Sequence, residues 1–380
     1  MALLDKSFGT EASTVTLSVE SRFEGMRLDQ FLQEEHFHTL SRQIIKRMID
    51  HGQVIIEGRT PPHKPSVKVH EGEIITATMI QTSHEDEFWH GKKLELQTIP
   101  EIVYEDDGLI VISKPAFMTA HPVGRHIFNT ATTYFEAVYK KTVHCVHRLD
   151  RETSGILLLA KNYEVAKAMN INFEFDHVKK VYFFIARVAP HFKGENSFTV
   201  FERLRLRSEV DRERMDVEAF PQNSPLGREA ETHFELLYHE KDYMLGLAFP
   251  RTGRQHQIRV HAAHHGLPLI GDKMYLGGYE MFQRFKDVLA SDEDHALMEL
   301  PRQALHATAL KLPYLGKETI FKSHIPLDFR EWITTKLSID LGALEKMIEQ
   351  KIKIYFEEAA PPIQQSPHHS VSPSSKSALF

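Results

Sequence analysis

The chain holds one cysteine, Cys145, in 380 residues, so no intrachain disulfide is available to it. That fits a reducing compartment, and a cytoplasmic location is expected. In its apolar surroundings, VHCVH, Cys145 reads as a small buried hydrophobe. Long apolar runs are also missing. None approaches the roughly 20 residues a helix needs to cross a bilayer, so no membrane partner is expected. The opening residues, MALLDKSFGTEAST, lack a basic stretch followed by a long apolar one, which argues against a secretory leader. Metal-binding patterns are absent too, although the chain has 24 histidines. RQHQIRVHAAHHG gathers His256, His261, His264 and His265, but it contains no HExxH pattern, no cysteine pair and no carboxylate. A mix of surface and hydrogen-bonded histidines is expected there, and no metal. No internal repeat is found.

What is present is an ordinary globular composition, 42% hydrophobic and 26% charged, long enough for more than one domain. The net charge of −6 argues mildly against a nucleic-acid partner. A basic patch on one face would be enough for one, however. Residues 15–80 contain such a patch. RLDQFLQEEH reads as a short amphipathic helix through Leu28, Phe31 and Leu32. LSRQIIKRMIDHG reads as a clearer one, with Ser41 as N-cap, an apolar stripe of Ile44, Ile45, Met48 and Ile49, and Gly52 as its stop. QVIIEGRTPPHKPSVKV is expected to form a strand, a turn and a second strand. From Ser41 to Lys68 the basic residues Arg42, Lys46, Arg47, Arg59, Lys64 and Lys68 face only Asp50 and Glu57. A solvated helix face is the common explanation of such a run. Its spread over two elements favours phosphate binding instead.

The polar stretch 81–98 is expected to be a linker. Beyond it strands become frequent (GLIVISK, GILLLAK, KKVYFFIARV, THFELLYHE, YMLGLAFP), with helices near Thr130–Tyr139 and Tyr163–Phe173. Strands in mixed order with few helices indicate an α+β domain over residues 99–336 rather than a doubly wound one. The charged segment RLRLRSEVDRERMDVEAFPQNSPLGREAE is either a hairpin or a mobile insertion. A helix is expected within 337–359, past the end of the core. Residues 360–380, rich in Pro and Ser, are expected to be disordered.

Four segments offer side chains for chemistry. In HRLDRETSGILLLAK, Asp150 lies between Arg148 and Arg151 and just before a Thr-Ser-Gly turn and an apolar strand. Such a carboxylate is a structural salt-bridge partner, a metal ligand, or a nucleophile or acid/base group kept ionised by a cation. The second segment, PRTGRQHQIRVHAAHHGLPLIGDKMY, carries Arg254 and Arg259. The third, KKVYFFIARV, has Tyr182 in an otherwise apolar strand, where core packing is the plain reading. The fourth, RQALHATAL, contains Leu305 and His306. Composition and periodicity do not join the four into one site.

A resemblance does. HRLDRETSGILLLAK, TGRQHQIRVH…GLPLIGDKMY and RQALHATALKL, in this order, are similar to the large-subunit (RluA-type) family of pseudouridine synthases. ISKPAFMTAHP matches the family's early segment at Lys114, Pro115, His121 and Pro122. The likeness spans about Glu101 to Arg330. RLDQFL, SRQIIKRMIDHGQVIIEG and KPSVKVHEGEII resemble the S4 RNA-binding domain. The resemblance implies a pseudouridine synthase fold with a mixed, mostly antiparallel sheet, preceded by a small α+β S4 domain. It implies Asp150 as nucleophile, Tyr182 as the tyrosine that stacks on the target base, and Arg259 as the partner of Asp150. It implies that Arg148 helps replace the flipped nucleotide. Arg42, Lys46, Arg47 and Arg254 complete the expected RNA contacts. One departure is visible: the family's K-x-Y-x-A strand has Phe184 in place of the alanine, which puts the pocket wall beside Tyr182 in question.

The chemistry suits these residue types. Turning uridine into pseudouridine breaks the N–C glycosidic bond and rejoins the same base through carbon, with no cofactor or metal required. A carboxylate can attack or stabilise an oxocarbenium-like sugar carbon. Attack on the uracil ring and elimination to a glycal are the competing routes. An adjacent arginine keeps the carboxylate ionised. Flipping the base costs a few kcal/mol of unstacking, part of which Arg148 would offset. The expected partner is RNA, ribosomal before transfer RNA, and the expected state is a monomer. The rival reading is an inactive RNA-binding or assembly protein of the same fold. The retained Asp150, Tyr182 and Arg259 argue against it.

Overall fold

The computed structural model describes residues 3–8, 12–37, 40–81, 86–123, 126–211 and 214–358. The expected tail, 360–380, lies outside the described residues. In chain order the first elements are β1 (Leu3–Phe8), β2 (Ala12–Ser18), α1 (Leu28–Glu35), α2 (Arg42–Asp50), β3 (Val54–Ile56) and β4 (Ile74–Ile80). The four strands pair in the order β1-β2-β4-β3. One face of this sheet, through Val15, Leu17, Ile56, Ile75 and Ala77, buries the helices' Leu28, Phe31, Leu32, Ile45, Met48 and Ile49. Ser41 caps α2, its hydroxyl accepting from the Ile44 amide at 3.4 Å.

The expected hairpin after α2 does not form. β3 pairs with β4 instead. The segment around Val67 straps back to the start of α1: the Leu28 amide donates to the Val67 carbonyl and the Val69 amide to the Met26 carbonyl. Pro61, Pro62 and Pro65 bring no amide hydrogens to a ladder, which prevents a regular hairpin there.

The stretch expected as a linker carries a short hairpin, β5 (Phe88–Trp89) with β6 (Lys92–Lys93). Trp89 stacks on Phe285 and meets His295 edge-on. The rest of the chain follows as β7 (Glu101–Glu105), β8 (Leu109–Lys114), α3 (Ala131–Tyr139), β9 (His144–Cys145), β10 (Ser154–Ala160), α4 (Tyr163–Glu174) and β11 (Lys179–Arg187). Next are β12 (Ser197–Val200), β13 (Arg203–Leu206), β14 (Val217–Phe220), β15 (Thr232–Glu240), β16 (Tyr243–Pro250), α5 (Gln257–His264), α6 (Tyr279–Lys286) and α7 (Asp292–Met298). β17 (Leu305–Tyr314), β18 (Lys317–Lys322), α8 (Leu327–Lys336) and α9 (Leu341–Glu357) complete it.

One ten-stranded sheet runs β12-β15-β16-β11-β17-β10-β8-β7, with β9 and β18 as side branches. Its pairings are antiparallel except β10 with β17, where Ser154 faces His306 and Gly155 faces Ala307. The architecture is therefore α+β with a mixed, mostly antiparallel sheet. The strand period of two splits β11 between two cores. Val181, Phe183 and Ile185 pack with Leu245, Leu247, α8 and α9. Phe184 and Ala186 pack with Phe234 and with Ile258 and Ala262 of α5. Tyr182 lies where the α5 layer meets the cluster formed by α3, β8 and β10. The charged segment after Val200 is a hairpin, β13 with β14. Its Leu204 and Val217 pack against Val260 of α5 and Tyr275.

The core does not end near Lys336 as expected. α9 buries Leu344, Ile348, Ile352 and Phe356, an i, i+4 stripe, in the same cluster as β11 and β16. Four such side chains contribute roughly 1.5–3 kcal/mol each. The helix is a structural layer of the domain.

Candidate active site

Asp150 stands just before the N-terminal end of β10, beside the start of the parallel strand β17. Its Thr-Ser-Gly turn is closed by the Thr153 amide donating to the Asp150 carbonyl at 3.0 Å. Gly155 has φ +107°, and a Cβ there would lie 2.2 Å from the Ala307 carbonyl oxygen. No other residue type fits at that crossing without moving β17. Beneath the turn, the Ser154 hydroxyl meets His306 Nδ1 at 2.9 Å.

The arginines that flank Asp150 in sequence are not its partners. Arg151 pairs with Glu87 at 2.8 Å. Arg148 is exposed and makes no ion pair or hydrogen bond among the described residues. The cation comes from α5, 109 residues on. Arg259 Nη1 donates to Asp150 Oδ2 at 2.9 Å, while its Nε and Nη2 donate to Asp272 Oδ2 and Oδ1 at 2.7 and 2.9 Å. Asp272 is fully buried and also accepts the Met274 and Tyr275 amides. The guanidinium is thus fixed in a fork by one carboxylate and presents its remaining edge to another. Gln303 Nε2 adds a 3.3 Å contact to Asp150 Oδ2 and a 2.7 Å bond to the Thr153 hydroxyl.

All these contacts fall on Oδ2. Asp150 Oδ1 has no hydrogen-bond partner among the described residues, and the side chain keeps 26% of its surface exposed. Burial by itself would raise the Asp150 pKa. The positive charges of His256, once protonated, and of Arg259, with hydrogen bonds from Arg259 and Gln303, outweigh it and bring it down to about 2. Burial and Arg259 in turn hold His256 at about 4, so near neutral pH that ring is uncharged and Arg259 is the standing cation.

Tyr182 faces Ala307 and Ala248 across its two neighbouring strands. Its hydroxyl has no hydrogen-bond partner among the described residues. Burial and the charge on Asp150 push its pKa up, so it stays a phenol. Lys180, on the same face of β11, is lowered by burial to about 8. A second set of groups braces the Asp150 loop from behind. The fully buried Lys114 donates to the carbonyls of Pro115, Met118 and Arg151. Lys273 holds Glu152 at 2.9 Å, and Glu152 accepts the Gln303 amide. Arg302, bidentate to Asp328, reaches the Glu152 carbonyl. An ionised, partly exposed carboxylate with one oxygen held and the other without a partner among the described residues, close enough to Tyr182 to shift its pKa, can attack an electrophilic carbon or move a proton.

The sequence profile described as RNA pseudouridylate synthase matches residues 108–264. "Ribosomal large subunit pseudouridine synthase D" of Vibrio cholerae is 30% identical over 83% of this chain and 93% of its own length. The proteins of that name from Salmonella typhimurium and Escherichia coli strain K12 are each 32% identical, over 84% of this chain and 93% of their own. The chain belongs to the pseudouridine synthase family. It is of the large-subunit, RluA-type branch, and is an RNA-modifying isomerase.

Within this synthase the sequence-derived residues divide into two places. Asp150, Tyr182 and Arg259 come together, with Arg148 exposed beside them. Arg254 is exposed at the entry to α5, its guanidinium donating to the Glu229 carbonyl at 2.9 Å. Arg42, Lys46 and Arg47 lie on α2. Arg42 is partly committed, donating to the buried Asp29 at 3.1 Å. Arg59 is also engaged, by Glu73 and the Lys68 carbonyl. Lys46 and Arg47 project into solvent. The patch that is free to meet a phosphate is therefore smaller than its sequence count.

Phe184 is fully buried, packing edge-on against Phe234 and lying over Gly246, its partner on β16. The missing side chain at Gly246 makes room for the ring. Asp272, Gln303 and His256 escaped sequence reasoning. Asp272 had a signal, the GDKMY run, but nothing showed that its carboxylate faces Arg259. The histidines near α5 serve as hydrogen-bonding groups: His261 bridges the Thr232 hydroxyl and the Glu202 carbonyl, and His265 meets Glu202 Oε1. Among the described residues no group of three or more His, Cys, Asp or Glu is placed to hold a metal. No described helix is long and apolar enough to cross a membrane. Cys145 is half-buried, its thiol pushed up to about 11 by burial.

Proposed function

We propose that Asp150 is the nucleophile of a ribosomal RNA pseudouridine synthase. One observation carries the assignment. Arg259 and Gln303 hold Asp150 Oδ2, Oδ1 has no hydrogen-bond partner among the described residues, and the carboxylate's charge acts on the nearby Tyr182. The relatives' shared name, which refers to the ribosomal large subunit, supports large-subunit ribosomal RNA as the substrate. Tyr182 stacks on the flipped uracil, and Arg148, exposed and without a partner among the described residues, fills the gap the base leaves in the RNA. The first unit, about residues 15–80, acts as an S4-type RNA-binding domain through Lys46 and Arg47, with Arg42 and Arg254 as further contacts. The protein works as a monomer in the cytoplasm.

The test uses an in vitro transcript of large-subunit ribosomal RNA. Wild-type protein should convert one or a few uridines to pseudouridine, and Asp150→Asn should lose at least about three orders of magnitude in rate. Equal conversion by the two proteins would remove Asp150 from the chemistry. Conversion of transfer RNA alone would keep the reaction and overturn the substrate.

A further inference from the structure

We propose that His256 is a catalytic residue, donating its Nε2–H to a carbonyl oxygen of the target pyrimidine. The inference rests on the reading of Asp150 given above and extends it to the group that receives charge.

Three observations converge on His256. The first is its backbone. It is the N-cap of α5, with φ 54° and ψ 15°, a left-handed conformation uncommon for non-Gly residues, though His, like Asn and Asp, adopts it more readily than most. Strain of this kind persists where surrounding structure enforces it, and it collects at working sites. The second is its tautomer. His256 Nδ1 lies 2.8 Å from the Tyr275 hydroxyl. That hydroxyl already accepts the Val217 amide at 2.8 Å, so its own proton is free to go to Nδ1. With the hydroxyl donating to Nδ1, the arrangement the proposal takes, the ring proton sits on Nε2. The third is direction. Nε2 lies 4.0 Å from Asp150 Oδ2, too far for a hydrogen bond, and has no other partner among the described residues. It is a fixed donor without an acceptor, beside the oxygen pair that performs the chemistry.

The reaction supplies the acceptor. When the bond from C1′ to N1 breaks, its electron pair leaves with the ring and is shared among N1 and the two carbonyl oxygens. Attack by Asp150 on C6 of the ring would load one of them, the oxygen at C4. The C5–C1′ bond then forms, and the C5 proton is returned to the ring at N1. A neutral donor suits this sequence, because it stabilises the transient anion without giving up its proton. Arg259 already spends three of its five N–H donors on Asp272 and Asp150, and its charge is shared between those two carboxylates.

The experiment measures single-turnover and steady-state kinetics on the ribosomal transcript. His256→Asn keeps a residue that tolerates the left-handed backbone but shortens its reach. It should lower kcat by about a hundredfold with little change in KM. Tyr275→Phe keeps the ring of residue 256 but frees its tautomer. It should give a smaller loss in the wild-type background and none when added to His256→Asn. A kcat within about twofold of wild type in His256→Asn, or additive losses in the double variant, would overturn the proposal. A loss confined to KM would make His256 an RNA contact and overturn it too. Absence of conversion by the wild type would instead overturn the substrate reading, so the two failures are distinct.

Discussion

At the scale of single residues, the charge state of the site is set by a few buried groups. Arg259 is bound twice by Asp272 and once by Asp150, so the carboxylate that must stay ionised has a cation that cannot move away. Four histidines, His147, His256, His261 and His306, are held well below their ordinary 6.5, to between about 3 and about 4, chiefly by burial. Asp150 is lowered from 3.8 to about 2. Each of these groups binds its proton more weakly folded than unfolded. Their stabilising contributions are therefore full above the unfolded values and are lost as pH falls through the folded ones. The melting temperature should fall by roughly 10 °C or more between pH 6.5 and 4, the histidine range, and further towards pH 2, where Asp150 joins. A flat melting temperature from pH 6.5 to 4 would contradict the neutral, buried state of these rings.

At the scale of elements, the pairing of β11 with β16 explains how the chain tolerates its departure from the family pattern. Phe184 occupies the place of a small residue, and Gly246 opposite it supplies the space. A Cβ on Gly246 would sit 2.6 Å from Phe184 Cζ and 3.0 Å from the Glu235 carbonyl. Gly246→Ala should destabilise the protein by about 1–3 kcal/mol through overpacking. Phe184→Ala should cost about 3–5 kcal/mol through the cavity it leaves. The double variant should lose less than the sum of the two, because the new methyl enters the space the ring vacates. Denaturant titration of the three variants tests this, and strict additivity would show that the ring and the glycine are not coupled.

At the scale of the whole molecule, an acidic chain presents basic side chains in two places that its sequence separates by about a hundred residues. One is the exposed face of α2, with Lys46 and Arg47, and the other is the rim of the site, with Arg148. RNA held at both would gain affinity through phosphate contacts and lose it with salt. Lys46→Glu combined with Arg47→Glu should weaken RNA binding at least tenfold at low salt, with the difference shrinking as ionic strength rises. Filter binding or fluorescence anisotropy on the ribosomal transcript measures both effects. Unchanged low-salt affinity would mean that the α2 face is a solvated surface only. Rates at saturating RNA should stay near wild type, since neither residue is among those that hold Asp150.

Local pattern was enough for α1, α2 with its Ser41 cap, α3, α4 and α9, because apolar spacing and caps act within a few residues. The α+β class was legible from the order of strand-like segments, while the mixed sheet and the grouping of Asp150, Tyr182 and Arg259 rested on the resemblance to the synthase family. What the sequence could not convey depends on neighbours brought together by folding. Proline removed amides from the stretch after β3, and the expected hairpin gave way to pairing with β4. α9 joined the core because the back of β11 and β16 needed cover. The family resemblance named Arg259 as the partner of Asp150, and the fold shows why the flanking Arg148 and Arg151 are not: the register of α5 against the sheet aims the Arg259 guanidinium at the loop. Asp272, Gln303 and His256 entered the site for the same reason. The sequence alone determined the local elements and the reactive residue types. The tertiary structure decided which oxygen of Asp150 is tied to Arg259 and Gln303, since that depends on directions between side chains more than a hundred residues apart.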